Sequence, residues 1–134
     1  MELYAGITMI LFGIILALPL LHSSYAQTGS NASPIEAVIM IKEAQNKTVY
    51  YQPDTATVKV GGEVLIANVA KSGHSVTSGT GPDDPMAGKK FNTDIIKPGA
   101  FVEYVPENLK PGNYSFFSST DPHVKGKFII VPSS

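Results

Sequence analysis

The sequence predicts an all-β fold, a sandwich of about seven to eight strands. From Ile35 onward the chain consists of short apolar or alternating runs that are separated by Gly, Pro and Asn, which is typical of β-sandwiches. Outside the N-terminal segment, no stretch of the sequence shows a sustained helical period. With 134 residues, the chain is long enough for one such domain and a targeting segment.

Local patterns predict the individual strands. The first is the apolar run at residues 38–41, and the second is the strictly alternating stretch 55–60. Gly61-Gly62 then predicts a tight hairpin into a third strand, Glu63–Asn68. The later strands are 91–96 paired with 100–105 across Lys97-Pro98-Gly99, then 114–117 after the turn at Pro111-Gly112-Asn113, and finally 127–131.

The N-terminal segment predicts export. Residues 7–21 are apolar apart from Thr8, and a small-residue cleavage pattern ends at Ala26. We therefore expect a signal peptide at 1–26, a flexible tether at 27–34 and the domain at 35–134. The apolar run is shorter than the roughly 20 residues of a membrane span. Since the segment before it has no Lys or Arg, an uncleaved N-terminal anchor is the alternative. The expected location is extracellular, periplasmic or on the cell surface.

The charge and the cysteine content of the chain limit the kinds of partner and metal site that we expect. Without Glu2, ten acidic residues remain against ten lysines, and the chain has no arginine. A neutral chain without clustered positive charge argues against nucleic acid or anionic lipid as a partner. Membrane contact is expected only through the N-terminal segment, if that segment is not cleaved. The chain also has no cysteine, so it lacks both disulfides and any thiolate metal ligand.

Motifs in the second half of the chain carry a family resemblance. One is Tyr114-Ser-Phe-Phe-Ser118-Ser-Thr-Asp121-Pro122-His123-Val124-Lys-Gly126, followed by an apolar strand. Upstream lie Tyr51-Gln-Pro53 and Gly73-His74-Ser-Val76. In this order the motifs resemble the cupredoxins, the small blue copper proteins, and most of all their amicyanin and plastocyanin branch. The resemblance covers residues 35–134 and implies a Greek-key β-sandwich, copper binding and electron transfer.

Three of the four copper ligands of that family are changed. The family's loop reads Cys-x-x-His-Pro-x-Met, and this chain has Ser118, Asp121 and Val124 at the Cys, His and Met positions. A type 1 centre holds copper between two imidazoles and one thiolate, with a weak axial thioether. A serine hydroxyl is not ionised near neutral pH, and a carboxylate is a harder ligand than imidazole. The chemistry therefore argues against a blue copper site.

The residues that remain leave two interpretations open. The family pattern implies that His74, Ser118, Asp121 and His123 lie together at one end of the sandwich. Two imidazoles and a carboxylate suit an ordinary nitrogen–oxygen site for copper or zinc. Alternatively, the domain binds no metal, His74 hydrogen-bonds a loop, His123 lies on the surface, and Asp121-Pro122 forms a turn. The protein would then be a binding or structural module of the cell envelope.

The remaining candidate residues do not indicate an enzyme. Asp83, Asp84 and Met86 in the long loop 78–90 are alternative ligands, although a solvated loop with turn-forming aspartates explains all three better. Ser118, Asp121 and His123 are the residue types of a hydrolytic triad, but they crowd one tight loop and the chain has no Gly-x-Ser-x-Gly elbow. We expect no catalysis, a redox or cell-surface protein as partner, and a monomer.

Overall fold

The computed structural model describes residues 33–134, in which two four-stranded β-sheets pack against each other. The expected signal peptide at 1–26 and most of the expected tether at 27–34 lie outside these residues. No helix among residues 33–134 is long and apolar enough to cross a membrane. The strands are β1 (Ile35–Glu43), β2 (Val49–Gln52), β3 (Thr55–Lys59), β4 (Glu63–Asn68), β5 (Thr77–Ser78), β6 (Phe101–Tyr104), β7 (Gly112–Ser118) and β8 (Asp121–Val131).

The sheets have the orders β2-β1-β4-β6 and β3-β8-β7-β5. Two pairings are parallel, β1 with β4 and β3 with β8, and the others are antiparallel. The predicted all-β sandwich of seven to eight strands is thus confirmed. Successive strands alternate between sheets at several points, so neighbours in the sequence often lie in different layers.

Apolar side chains from the inner faces of both sheets form the core. Ile39 and Ile66 come from the first sheet, and Phe116 and Phe128 come from the second. The rings of Phe116 and Phe128 lie with their centroids 4.8 Å apart. Gly126 lies directly against the ring of Phe116, and a Cβ there would also come within 2.8 Å of the Asp54 carbonyl oxygen. This close approach explains the glycine, because any side chain would push β8 away from the core.

The predicted hairpin at Gly61-Gly62 is wrong. A tight turn does form there, with Gly61 at φ 77° and the Gly62 N–H donating to the Lys59 carbonyl at 2.8 Å. The turn, however, carries the chain from one sheet to the other. Because β3 and β4 each have an apolar inner face, they bury those faces by facing each other across the core. Each strand pairs with a distant partner instead, β3 with β8 and β4 with β1.

The predicted pairing of residues 91–96 with 100–105 is also wrong. Residues 91–96 form only isolated bridges, from Asn92 to Thr77 and from Ile96 to His74. The Asn92 side-chain oxygen accepts the Asp94 N–H at 2.9 Å, and Asp94 has φ 59°. This local turn interrupts the extended conformation. The second half of the predicted pair forms β6, whose partner is β4.

The C-terminal run turns earlier than the sequence predicts. Ser118 pairs with Asp121, so the chain reverses at Ser119 and Thr120 rather than at Asp121-Pro122. Phe117 pairs with Lys125, which leaves residues 122–124 as a bulge in β8. Proline is tolerated at such a bulge because no ladder hydrogen bond is needed there. The bulge directs Val124 into the core, where it is 3% exposed, and leaves His123 exposed.

Candidate functional site

His74 is held between the two sheets by the backbone around it. Its N–H donates to the Ile96 carbonyl at 3.2 Å, and its own carbonyl accepts the Ile96 N–H at 2.7 Å. The buried Asn68 amide donates to the carbonyls of Ser72 and Ile96, both at 2.8 Å. These bonds fix the segment before His74 and place its ring in the interior, where the residue is only 2% exposed.

Both ring nitrogens of His74 have hydroxyl partners. Nε2 lies 2.9 Å from the Ser72 Oγ, and Nδ1 lies 2.9 Å from the Ser118 Oγ. The Thr120 Oγ1 is also within 3.2 Å of Nδ1. A neutral imidazole has one donor and one acceptor nitrogen, and a hydroxyl serves either. The neutral ring is therefore fully hydrogen-bonded in both tautomers.

The hydroxyls around His74 continue into a wider network. The Ser118 Oγ accepts the Ser75 N–H at 3.3 Å, and the Ser75 Oγ lies 2.7 Å from the Thr77 Oγ1. The Ser75 Oγ also accepts the Ser119 N–H at 2.9 Å. Among residues 33–134, every buried side-chain nitrogen or oxygen has a hydrogen-bond partner. We call this group the hydroxyl network; its members are Ser72, Ser75, Thr77, Ser118, Ser119 and Thr120.

Of these six residues, only Ser118 was predicted from the sequence. Its signal was its place at the cysteine position of the family motif. The density of Ser and Thr at residues 72–77 and 118–120 was the signal for the others. That density is ambiguous, because the same residue types are common in exposed turns.

Burial controls the protonation of His74. It lowers the pKa of the imidazole below the ordinary value of 6.5, since the charged form is poorly solvated in the interior. The carboxylates of Asp121 and Glu43 act in the opposite direction and do not outweigh burial. His74 is therefore neutral at pH 7.

Two separate clefts receive the predicted site residues. One is lined by His74, Asp121 and Glu43, together with Ser72, Gly73, Thr120, Lys47, Val49 and Ile95. His123 lines another cleft, beside Pro122, Lys125 and the 80–85 loop. The structure thus brings His74 close to Ser118 and Asp121, and it places His123 elsewhere because of the bulge in β8. In the part of the chain that the structure describes, no three His, Asp or Glu side chains are grouped closely enough to hold a metal.

The donor set does not fit a type 1 copper centre. The chain has no thiolate, and the position of the family's cysteine carries Ser118, whose hydroxyl hydrogen-bonds His74. Among residues 33–134, His74 is the one imidazole that lines its cleft, where the other side-chain oxygens belong to hydroxyls and carboxylates. Val124, at the position of the axial methionine, contributes only to packing. The end of the sandwich that resembles a copper site is therefore built around hydrogen bonds.

Asp84, one of the alternative ligands in the long loop, has a structural role. The Asp84 carboxylate accepts the Thr80 N–H at 3.0 Å and the Met86 N–H at 2.9 Å. The N–H of Met86, and next that of Thr80, lower the pKa of Asp84 because they stabilise its ionised form. Met86 itself is 52% exposed. This arrangement explains Asp84 as a residue that shapes the loop.

Comparison with known proteins identifies the fold. No family model matches the chain, and no curated protein is significantly similar to it. Among solved structures, a purple cupredoxin from Nitrosopumilus maritimus is 23% identical with a TM-score of 0.57, over 71% of this chain and 99% of that one. A mutant amicyanin in its reduced Cu(I) form is 22% identical with a TM-score of 0.53, over 79% and 88% of the two chains.

A mutant fern plastocyanin is similar in the same way. It is 15% identical with a TM-score of 0.53, and the match covers 70% of this chain and 99% of the plastocyanin. Identities this low establish the fold and nothing finer. The fold of residues 33–134 is cupredoxin-like, and the resemblance to amicyanin and plastocyanin that the sequence motifs indicated is confirmed at that level.

Proposed function

We propose that this chain is an exported, cupredoxin-like protein that acts as a metal-free binding module of the cell envelope. The observation that carries the proposal is the enclosure of His74, whose two ring nitrogens each lie 2.9 Å from a serine hydroxyl. Export is supported by the apolar segment at residues 7–21 and the cleavage pattern that follows it.

The hydroxyl network opposes metal binding at the inner nitrogen of His74. A metal at Nδ1 would displace the hydroxyls of Ser118 and Thr120 from that atom. Ser118 would then move away from the Ser75 N–H, which it accepts at 3.3 Å. A buried polar group that loses its partner costs about 1–3 kcal/mol. The serine and threonine hydroxyls thus favour the metal-free state at this end of the fold.

The cleft beside His74 is the proposed binding surface. It combines the carboxylates of Glu43 and Asp121 with the apolar side chains of Val49 and Ile95, and Ile95 is 49% exposed. Polar groups around an apolar centre are typical of protein-binding sites. We expect the partner to be another protein of the cell envelope, which contacts this cleft through an apolar side chain.

Thermal unfolding with and without metal tests the proposal. We expect the melting temperature to stay unchanged when one equivalent of Cu(II) or Zn(II) is added, and when EDTA is added, since a ligand raises it only by binding the folded state. The matched variants are His74→Ala and His123→Ala. A rise with stoichiometric metal that disappears in His74→Ala and persists in His123→Ala would contradict a metal-free module.

A second candidate function is copper or zinc binding at the outer nitrogen of His74. It is favoured by the position of Asp121 and Glu43, whose carboxylates line the same cleft and act electrostatically on the ring. Binding there would require the Ser72 hydroxyl to rotate away from Nε2. An imidazole with one of these carboxylates offers an ordinary nitrogen–oxygen pair of donors for either metal. Electron transfer, which the family resemblance implies, would follow only from this candidate with copper bound.

Electron paramagnetic resonance during a Cu(II) titration distinguishes the two candidates. The second predicts a one-to-one signal with nitrogen coupling that is lost in His74→Ala, weakened in Asp121→Asn and retained in His123→Ala. The first predicts no stoichiometric signal in any of these proteins.

A further inference from the structure

The outer face of the first sheet carries a continuous apolar patch. Ile39 and Ile41 point into the core, so the alternate residues of β1 point outward. Val38 lies opposite Leu65 in the strand register, Met40 lies opposite Ala67, and Ala67 lies opposite Phe101. These pairs connect β1, β4 and β6 into one apolar surface. We call it the outer patch; its residues are Val38, Met40, Leu65, Ala67 and Phe101.

The exposure of the outer patch is unusual for a free surface. Phe101 is 63% exposed and Val38 is 47% exposed, while Met40, Leu65 and Ala67 are partly covered by their neighbours. Isolated apolar residues on a surface need no explanation, whereas contiguous patches mark interfaces. Phe101 lies on the edge strand β6, where an exposed aromatic ring would otherwise invite unspecific association.

Charged residues of opposite sign flank the outer patch at its two ends. Lys42 is two residues after Met40 in β1 and therefore lies on the same face of the sheet. Its Nζ donates to the Gln52 side chain at 2.9 Å. At the other end, Glu103 lies opposite Leu65 and Glu63 precedes Leu65 by two residues. Partial desolvation, a hydrogen bond to Glu103 and then the charge of Glu103 raise the pKa of Glu63. Two neighbouring carboxylates of this kind are stabilised by a cation.

We propose that this chain forms a two-fold symmetric homodimer in which the outer patches of two protomers face each other. The two-fold axis lies midway between the first sheets of the two protomers and runs perpendicular to their strands. Facing strands are then antiparallel. That operation places the Lys42 end of one protomer over the Glu63 and Glu103 end of the other. The surface is therefore complementary to itself in charge as well as in polarity. A dimer replaces the monomer expected from the sequence.

The geometry of β-sheets permits this contact. Sheets that pack face to face lie about 10 Å apart, with their side chains interdigitated. The outer patch has only five residues, and a stable interface buries about 800 Å² on each partner. We therefore expect a weak dimer, with a dissociation constant between about 1 µM and about 1 mM. The cleft beside His74 is not involved, so the proposal stands independently of the proposed function.

Sedimentation velocity over that concentration range tests the dimer, with protein purified from cells that express the full chain. We expect the sedimentation coefficient to rise with concentration from the monomer to the dimer value. Phe101→Ala should weaken the association at least about tenfold, because it removes the most exposed part of the patch. The matched control is Met86→Ala, which removes a similarly exposed apolar residue from a distant loop. A monomer throughout, or equal effects of the two substitutions, would overturn the proposal.

A charge exchange tests the arrangement of the protomers. Lys42→Glu and Glu63→Lys should each weaken self-association, since each places like charges opposite one another across the dimer. An equimolar mixture of the two variants should associate again, because both contacts of the mixed dimer then pair opposite charges. Circular dichroism of each variant checks that the fold is kept. Failure of the mixture to associate, with both variants folded, would rule out the antiparallel arrangement.

Discussion

Replacing Ser118 by alanine tests whether the hydroxyl network stabilises the end of the sandwich. Ser118 is fully buried, and its Oγ lies 2.9 Å from His74 Nδ1. The same oxygen accepts the Ser75 N–H at 3.3 Å. Without it, the Ser75 N–H loses that acceptor inside the protein. His74 Nδ1 keeps only the more distant Thr120 hydroxyl at 3.2 Å.

The contacts of Ser118 set the size of the effect. A buried polar group without a partner costs about 1–3 kcal/mol. The substitution leaves one such group unpaired and weakens the bond of a second, so we expect the free energy of unfolding to fall by about 2–4 kcal/mol. Because a domain of this size is stable by only about 5–15 kcal/mol, this loss is easily measured.

Urea unfolding followed by circular dichroism measures that loss. The midpoint should fall while the slope of the transition stays the same, which indicates lower stability without a change in the unfolded state. Ser115→Ala is the matched control, because Ser115 is exposed on the same strand and its loss should change stability by less than about 0.5 kcal/mol. If both substitutions had the same small effect, the hydroxyl network would not stabilise the fold.

Three further predictions concern the same core. The free energy of unfolding should decrease as the pH falls below 6.5, because His74 binds a proton more readily in the unfolded chain than in the folded one. Urea midpoints measured from pH 8 to pH 5 should therefore fall with pH, and they should fall less in His74→Gln. An equal fall in the two proteins would refute this prediction. Gly126→Ala should lower the free energy of unfolding by about 1–3 kcal/mol in the same assay, because the new methyl group collides with the ring of Phe116. An unchanged urea midpoint would contradict the close contact between Gly126 and Phe116. Tyr51→Phe should cost about 1 kcal/mol, because the Tyr51 hydroxyl donates to the Ser75 carbonyl at 2.5 Å; a gain in stability would show that this bond is unfavourable.

The sequence predicted most strands but not their partners. The alternating stretch 55–60 forms β3 as Thr55–Lys59, and the next strand has the predicted bounds, Glu63–Asn68. Alternation shows that one face of a strand is buried, but it does not show which layer buries it. Two consecutive strands with the same pattern fit a hairpin and a crossover between sheets equally well. The crossover is correct because β3 and β4 bury their apolar faces from opposite sides of the core. Which side each strand occupies depends on the whole fold.

Short strands were harder to predict than long ones. β5 has two residues, and β2 has four residues that include two tyrosines and a glutamine, so neither has a clear apolar alternation. Their positions depend on partners elsewhere in the chain. β2 pairs with β1, and β5 pairs with β7. Tertiary pairing therefore formed strands where the local pattern alone was too weak to predict them.

The candidate site was predictable only as far as the family motif extended. The motif placed His74 near Ser118 across 44 residues of sequence, and the structure has the two side chains 2.9 Å apart. It gave no information on Ser72 or Thr120, because neither position is a ligand in the motif. The role of Thr120 follows from the turn that forms when β7 and β8 pair, and the role of Ser72 follows from the loop that the Asn68 amide holds.

The bulge in β8 explains why the two histidines of the domain are separated. Since Ser118 pairs with Asp121 and Phe117 pairs with Lys125, three residues have no opposite partner and must leave the ladder. Of these, Val124 is apolar and enters the core, so its neighbour His123 must point outward. Asp121 thereby becomes the residue of this run that lines the cleft of His74. A carboxylate beside a buried neutral imidazole stabilises a cation at the mouth of the cleft better than a second imidazole would. A protein that places an apolar side chain against Val49 and Ile95 is therefore expected to present a positive charge to Asp121 as well, as a metal ion would, and Asp121→Asn should weaken binding more than His123→Ala.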